Sequence, residues 1–244
     1  MIIRLLIIFL LSVCMFPLHI SCQVNCVCFN ETDKKIWAPL SGELFVPSSQ
    51  PDPGTFFNQN WLPGDIWLDD GRIIQNEMVK YNGLLDEILW LEPATSKIIL
   101  LDKKAIYRFH FHNYQGDTSL YFQKLKVKQN IFNDSVEIFT EEVFIGDLSF
   151  FILHSFYLSG NEKIEVNNRY YRKEIYRERE VYYLRTSDNK ILEFRRFNRR
   201  GLYAVFPDNK EYIKGYFKTN VSGAIKTRQE ILRLAEFLNS IIIL

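Results

Sequence analysis

Trp61–Glu92 reads WLPGDIWLDDGRIIQNEMVKYNGLLDEILWLE, and its pattern decides the fold. Asp65–Leu68 has the character of a short strand, Asp69-Asp70-Gly71 of a tight turn, and Arg72–Tyr81 of a second strand. Asn82-Gly83 is a hairpin signal, because both residue types tolerate positive φ, and Leu84–Leu91 returns as a third strand. A three-stranded meander with one apolar face is about the smallest sheet that stands in water. This stretch is therefore a seed to which later strands add.

Working outward, Lys97–Leu101 and Ala105–His112 read as strands. In the second, Ala105, Tyr107, Phe109 and Phe111 oppose Lys104, Arg108, His110 and His112, with Ile106 breaking the alternation. Asn113–Thr118 is expected as a loop. Leu120–Lys128 alternates again, and Asn130–Asp134 turns the chain. Val136–Phe144 and Leu148–Leu158 predict a hairpin around Ile145-Gly146-Asp147. Polar Ser159–Asn168 is expected as a loop, and Tyr170–Glu180 fits either strand or helix. Val181–Thr186 and Ile191–Phe194 pair across Ser187-Asp188-Asn189-Lys190.

The pattern changes after Phe197. Asn198 is placed to cap a helix over Arg199–Phe206 that Pro207 stops. Asp208 or Asn209 caps a second through Phe217. Thr227 caps a third, with Glu230 completing a capping box and Ile231, Leu234, Ala235 and Leu238 on one face. Sheet followed by helices is an α+β order: an extended antiparallel meander over 61–196 and a C-terminal helical region, 197–244, packed on it. Residues 23–60, with Pro39, Pro47, Pro51 and Pro53, read as a Pro-rich linker in which Ile36–Leu40 or Glu43–Val46 adds at most a short edge strand.

The 244 residues are 47% hydrophobic and 15% aromatic, so a single core of useful size is expected and wholesale disorder is not. A net charge of +1 argues against a general nucleic-acid binder. The charge is uneven, however: from Phe151 onward there are 18 Lys+Arg against 11 Asp+Glu, an excess that the earlier residues nearly cancel.

Residues 1–22 read as a secretory signal peptide, with Arg4 in the basic segment, Leu5–Phe16 as the apolar run, Pro17 as the helix breaker and Ser21-Cys22-Gln23 as the cleavage site. Ordinary cleavage after Cys22 is the expectation. The alternative is lipidation of Cys22 at a lipobox-like His19-Ile20-Ser21-Cys22, where His19 departs from the usual Leu. Export places the mature chain in the periplasm or outer cell envelope, with membrane association only if Cys22 carries lipid. Cys14 falls within the signal. Cys26 and Cys28 form a Cys-x-Cys pair, read as a local disulfide or two free thiols.

The order of motifs resembles a family of exported, β-rich proteins of Bacteroidetes bacteria. The matching positions are Trp61-Leu62-Pro63-Gly64, Asp70-Gly71, Lys80-Tyr81-Asn82, Tyr182-Tyr183-Leu184, Pro207-Asp208 and the helix at Ile231–Asn239. The resemblance runs from Trp61 to the end. It implies export and the α+β fold, and brings no catalytic residue to any position.

Each candidate for chemistry has a plain structural counterpart. His110 and His112 project from one strand face. Zinc needs three or four ligands, and the remaining mature histidine, His154, sits in a Phe-rich strand, so a solvated polar face is expected and no metal is assigned. Asp69-Asp70 serves the turn. Glu141-Glu142 is expected at the surface, and since adjacent residues on a strand point to opposite faces, neither carboxylate pair converges on a substrate. No Gly-x-Ser-x-Gly, Gly-x-x-x-x-Gly-Lys-Ser/Thr or Gly-x-Gly-x-x-Gly occurs, which leaves a hydrolase triad, nucleotide binding and any cofactor without support. Arg195-Arg196-Phe197-Asn198-Arg199-Arg200 is the densest charge cluster. Arg195, Arg196, Arg199 and Arg200 are the candidate binding residues for an acidic envelope protein or glycan, against the reading of a solvated corner. Asp134-Ser135-Val136 resembles the O-glycosylation acceptor of Bacteroidetes, with Ser135 as the modified residue. Asn30, Asn133 and Asn220 begin sequons that matter only in a eukaryotic secretory pathway. The function expected is a non-catalytic cell-envelope interaction module. The alternative is an envelope-polymer hydrolase whose site is assembled from residues distant in sequence.

Overall fold

The computed structural model describes residues 40, 42–46, 53–114, 118–128, 135–221 and 225–242. Their elements are β1 (Gly42–Leu44), β2 (Leu62–Leu68), β3 (Ile73–Asn82), β4 (Glu87–Leu91), β5 (Ile98–Leu101), β6 (Ile106–Tyr114), β7 (Thr118–Lys128), β8 (Ser135–Phe144), β9 (Ser149–Val166), β10 (Arg169–Arg185) and β11 (Ile191–Phe194), then the helices α1 (Arg199–Val205), α2 (Lys210–Asn220) and α3 (Arg228–Ile242). Among the described residues the 11 strands form one sheet in the order β1-β5-β4-β3-β2-β6-β7-β8-β9-β10-β11. Every pairing is antiparallel. The fold is α+β, a large sheet followed by helices. No described helix is long and apolar enough to cross a membrane.

The opening meander forms as its residues dictate. Gly71 takes φ 86°, its N–H donates to the Leu68 carbonyl at 3.0 Å, and Asp70 accepts from the Arg72 N–H at 3.1 Å. The second turn differs from the Asn82-Gly83 expectation. Asn82 still pairs with Glu87, so the reversal spans 83–86, and positive φ falls on Asp86 at 57° rather than on Gly83. Asn82 uses its side-chain oxygen to accept from the Leu84 N–H at 3.1 Å, an Asx-type turn. Glycine is needed at 83 for another reason. A Cβ there would lie 2.6 Å from both the His154 carbonyl oxygen and the Phe156 ring.

That close approach shows how the sheet rolls. Although β2, β6 and β7 separate β3 from β8 in the sheet, the buried Tyr81 ring meets the Phe139 ring at 6.4 Å, and Asp86 accepts from the Tyr81 hydroxyl at 2.7 Å and the Phe139 N–H at 3.1 Å. Lys103 pairs with the same carboxylate. The rolled interior holds Ile66, Val79, Ile88, Ile106, Phe109, Phe111, Phe122 and Phe139. Burying each such side chain contributes roughly 1.5–3 kcal/mol. Phe57 caps one end, stacking on Phe111 and edge-on to Phe122 and His154. The interval 23–60 thus supplies the edge strand β1 and the turn Pro53–Thr55 as well as Phe57. The break at Ile106 is a β-bulge: Trp67 faces Arg108, Leu68 faces Ile106, and Tyr107 is left outside.

The helices cover the same face of the sheet further along, on Val143, Phe150, Ile152, Tyr182, Leu184 and Phe194. Phe197 is fully buried there, with Phe194, Phe150 and Tyr182 rings at 5.0, 5.4 and 5.4 Å. Asn198 accepts from the Gly201 N–H at 2.9 Å, as its cap role requires. For α2, neither Asp208 nor Asn209 acts as a side-chain cap; a 3-10 turn, Pro207–Asn209, leads into it instead. At α3 the capping box closes as expected.

Ser159–Asn168, expected as a loop, is strand and turn. β9 and β10 pair all the way out to Val166 and Arg169, with Asn167 and Asn168 at φ 51° and 60° in the turn. The polar composition that suggests a loop reflects a ribbon largely exposed on both faces beyond Tyr157 and Arg177, where no apolar side is required.

Candidate functional site

The basic corner follows from how the chain leaves the sheet. β11 ends at Phe194, Phe197 dives into the core, and Asn198 starts α1, so the residues flanking Phe197 are forced outward. Arg195, Arg196, Arg199 and Arg200 are all exposed, and none makes an ion pair with another described residue. Arg199, Arg200, Asn198, Tyr203 and Lys210 line one open, shallow surface. Three cations, Arg199, Arg200 and Lys210, thus share that surface with a tyrosine ring and an amide, while Arg195 and Arg196 are exposed on the other side of Phe197 in the chain and do not line it.

Ser135 is exposed at the first residue of β8, beside the Lys128 end of β7. Its preceding turn, 130–134, lies outside the described residues, as do Cys22, Cys26 and Cys28.

Two further groups sit on the sheet, and both differ from the sequence reading. Glu141 and Glu142 do point to opposite faces, but both are buried. Glu142 pairs with Arg108 at 2.7 Å, and the Arg108 guanidinium stacks over Tyr121. Burial raises the Glu142 carboxyl, against the pull of Arg108 and Arg185. On the inner face Glu141 is 3% exposed and meets His154 Nε2 at 2.8 Å and Arg228 Nε, from α3, at 2.5 Å. His154 Nδ1 meets Glu178 at 2.6 Å. Burial works to lower the His154 pKa, but the hydrogen bonds to Glu141 and Glu178 prevail and push it up to about 9. The group is an imidazolium between two carboxylates. It ties β8, β9, β10 and α3 together, and its chemistry is used up in that pairing.

The outer face holds His110 and His112 with a third partner that sequence spacing does not show. Asp65 stands opposite His110 in the β2–β6 ladder. A bulge in β3 puts Asn76 at φ 57° and aims its N–H at Asp65 Oδ1, 2.7 Å away. His112 Nε2 lies 2.9 Å from the same oxygen, and His112 Nδ1 lies 3.1 Å from His110 Nε2. His110 is buried rather than solvated, with its ring stacked on Tyr121 at 4.8 Å and tilted against Trp67 at 5.1 Å. Burial, and then the neighbouring His112, hold its pKa below the ordinary value. One ligand atom from each of Asp65, His110 and His112 lies within 4.8 Å of the other two. These are the described residues able to share a metal ion.

Comparison with protein-family models, curated proteins and solved structures finds no match to this chain.

Proposed function

We propose that the chain is a non-catalytic interaction module exported to the cell envelope, where it binds an acidic protein or glycan through Arg195, Arg196, Arg199 and Arg200. The carrying observation is the exposure of four arginines without ion-pair partners among the described residues, held around a fully buried Phe197. Exposed guanidinium groups without ion-pair partners among the described residues suit carboxylate, sulfate or phosphate groups spaced along a polymer or a protein surface. Association of this kind is electrostatic and weakens as salt shortens the Debye length to about 8 Å at physiological strength.

The test is retention on an immobilised acidic polysaccharide across a NaCl gradient. The wild-type chain should elute well after the Arg196→Glu, Arg199→Glu double variant. The variant should keep its unfolding midpoint, since exposed substitutions usually shift stability by less than about 0.5 kcal/mol. Co-elution of the two proteins would exclude the corner as the binding surface. An unfolded double variant would make the arginines structural.

A further inference from the structure

We propose that Asp65, His110 and His112 form a site for a divalent transition-metal ion, zinc by ligand type, on the outer face of the sheet. Two imidazoles and one carboxylate are the donors of three-ligand zinc sites, which leave a further position for water or substrate. Their donor atoms are already within 4.8 Å of one another.

Three features beyond proximity support the assignment. His110 Nδ1 is buried and has no hydrogen-bond partner among the described residues, and it lies 3.8 Å from Asp65 Oδ2, on the carboxylate side of the ring. A buried ring nitrogen without a partner is costly, and a cation held jointly with Asp65 would satisfy it. Second, the ligands are fixed before any ion arrives. Asp65 is held by the Asn76 N–H, and His110 is packed between Trp67 and Tyr121 on paired strands. Third, His112 is about one-third exposed, which gives an ion a route in from solvent. Arg108, whose charge acts on His110, is paired with Glu142, so that charge is largely balanced. The proposal is independent of the arginine corner, on a different part of the sheet.

The experiment is Zn²⁺ titration by calorimetry of the purified chain carrying Cys26→Ser and Cys28→Ser, which removes the thiols as competing ligands. One equivalent should bind, and His112→Ala should weaken it by at least about tenfold, the lower end of what losses around a metal cost. Zinc should raise the thermal midpoint of the parent and raise that of the variant by less at the same zinc concentration. Imidazole nitrogen resonances, followed in the parent, keep the test valid should His112→Ala fail to fold. Those of His110 and His112 should both move on adding Zn²⁺. Absence of binding, equal binding by a folded His112→Ala, or resonances that stay in place would each overturn the assignment.

Discussion

The two faces of the sheet treat a buried histidine in opposite ways. On the inner face His154 lies between Glu141 and Glu178 and is held charged. On the outer face His110 has a carboxylate 3.8 Å away, another histidine at 3.1 Å, and Arg108 on its own strand, and its pKa is held below the ordinary value. Both rings are almost closed to solvent, at 6% and 5% residual exposure, and His154, the more deeply packed of the two, is the one that stays charged, so desolvation does not set the direction of the difference. The number and distance of carboxylates does. Two hydrogen-bonded carboxylates outweigh the desolvation of an imidazolium, and one at longer range does not. The consequence is a division of labour. His154 has both ring nitrogens paired and holds strands and helix together, while His110 keeps a nitrogen without a hydrogen-bond partner among the described residues.

The largest effect should come from breaking the inner group. His154→Ala leaves Glu141 buried with Arg228 as its one remaining cation among the described residues and removes the bridge to Glu178. Loss of one member of a buried ion pair costs roughly 3–5 kcal/mol. Urea unfolding should show that loss. A change under 1 kcal/mol would mean that Arg228 alone satisfies Glu141 and that the imidazolium is dispensable.

The second test uses pH to separate the faces. The folded-state pKa of His154, about 9, exceeds its ordinary value of 6.5, so the stability it contributes is complete below pH 6.5 and is lost as pH rises through 9. At 1.36 kcal/mol per unit, the fall across that window is on the order of 3 kcal/mol. For His110 the shift is downward, so its contribution is present above 6.5 and lost as pH falls below it. Stability should therefore peak near neutral pH. His154→Gln should flatten the alkaline limb and leave the acid limb alone. His110→Asn should do the reverse. If His154→Gln leaves the slope between pH 6.5 and 9 intact, the imidazolium assignment fails.

What a sequence can show of this division is set by distance along the chain. The meander, the Asp69-Asp70-Gly71 turn, the Asn198 cap and the Thr227–Glu230 box are local. Each is legible because its residues answer to one another within a few positions. The two sites are not. Asp65 is 47 residues from His112, and Glu141 is 87 from Arg228. Their meeting depends on β2 lying between β3 and β6, and on α3 returning to β8, neither of which any single segment specifies. Glu141-Glu142 looks like surface because adjacent charges usually are, yet each finds its own cation on its own face. The outer ribbon misleads in the other direction. Tyr170–Glu180 lacks alternation because both of its faces meet solvent, so its strand character rests on backbone pairing that side chains do not announce. Asn82-Gly83 signals a turn correctly and misplaces it, since the glycine answers to β9 across the roll.

The smallest effect tests whether the inner group also anchors α3. Thr227 accepts from the Glu230 N–H at 3.2 Å, and Glu230 in return accepts from the Thr227 and Lys226 N–H groups at 2.9 and 3.0 Å. The next residue, Arg228, opens the helix and places Nε on Glu141. Thr227→Ala should cost ~1 kcal/mol, as the loss of a cap does. More informative is its coupling to Arg228→Ala. If the box sets the first turn so that Arg228 reaches Glu141, the two changes share one interaction, and together they should cost at least about 0.5 kcal/mol less than their sum. Simple additivity would mean that Arg228 finds Glu141 however the helix begins. The docking of α3 would then rest on Ile231, Leu234, Ala235 and Leu238, which are buried against the sheet on their own account. Neither substitution should move the imidazole resonances of His110 and His112, because nothing in the inner group touches the outer face; a shift there would show that the two faces are not independent.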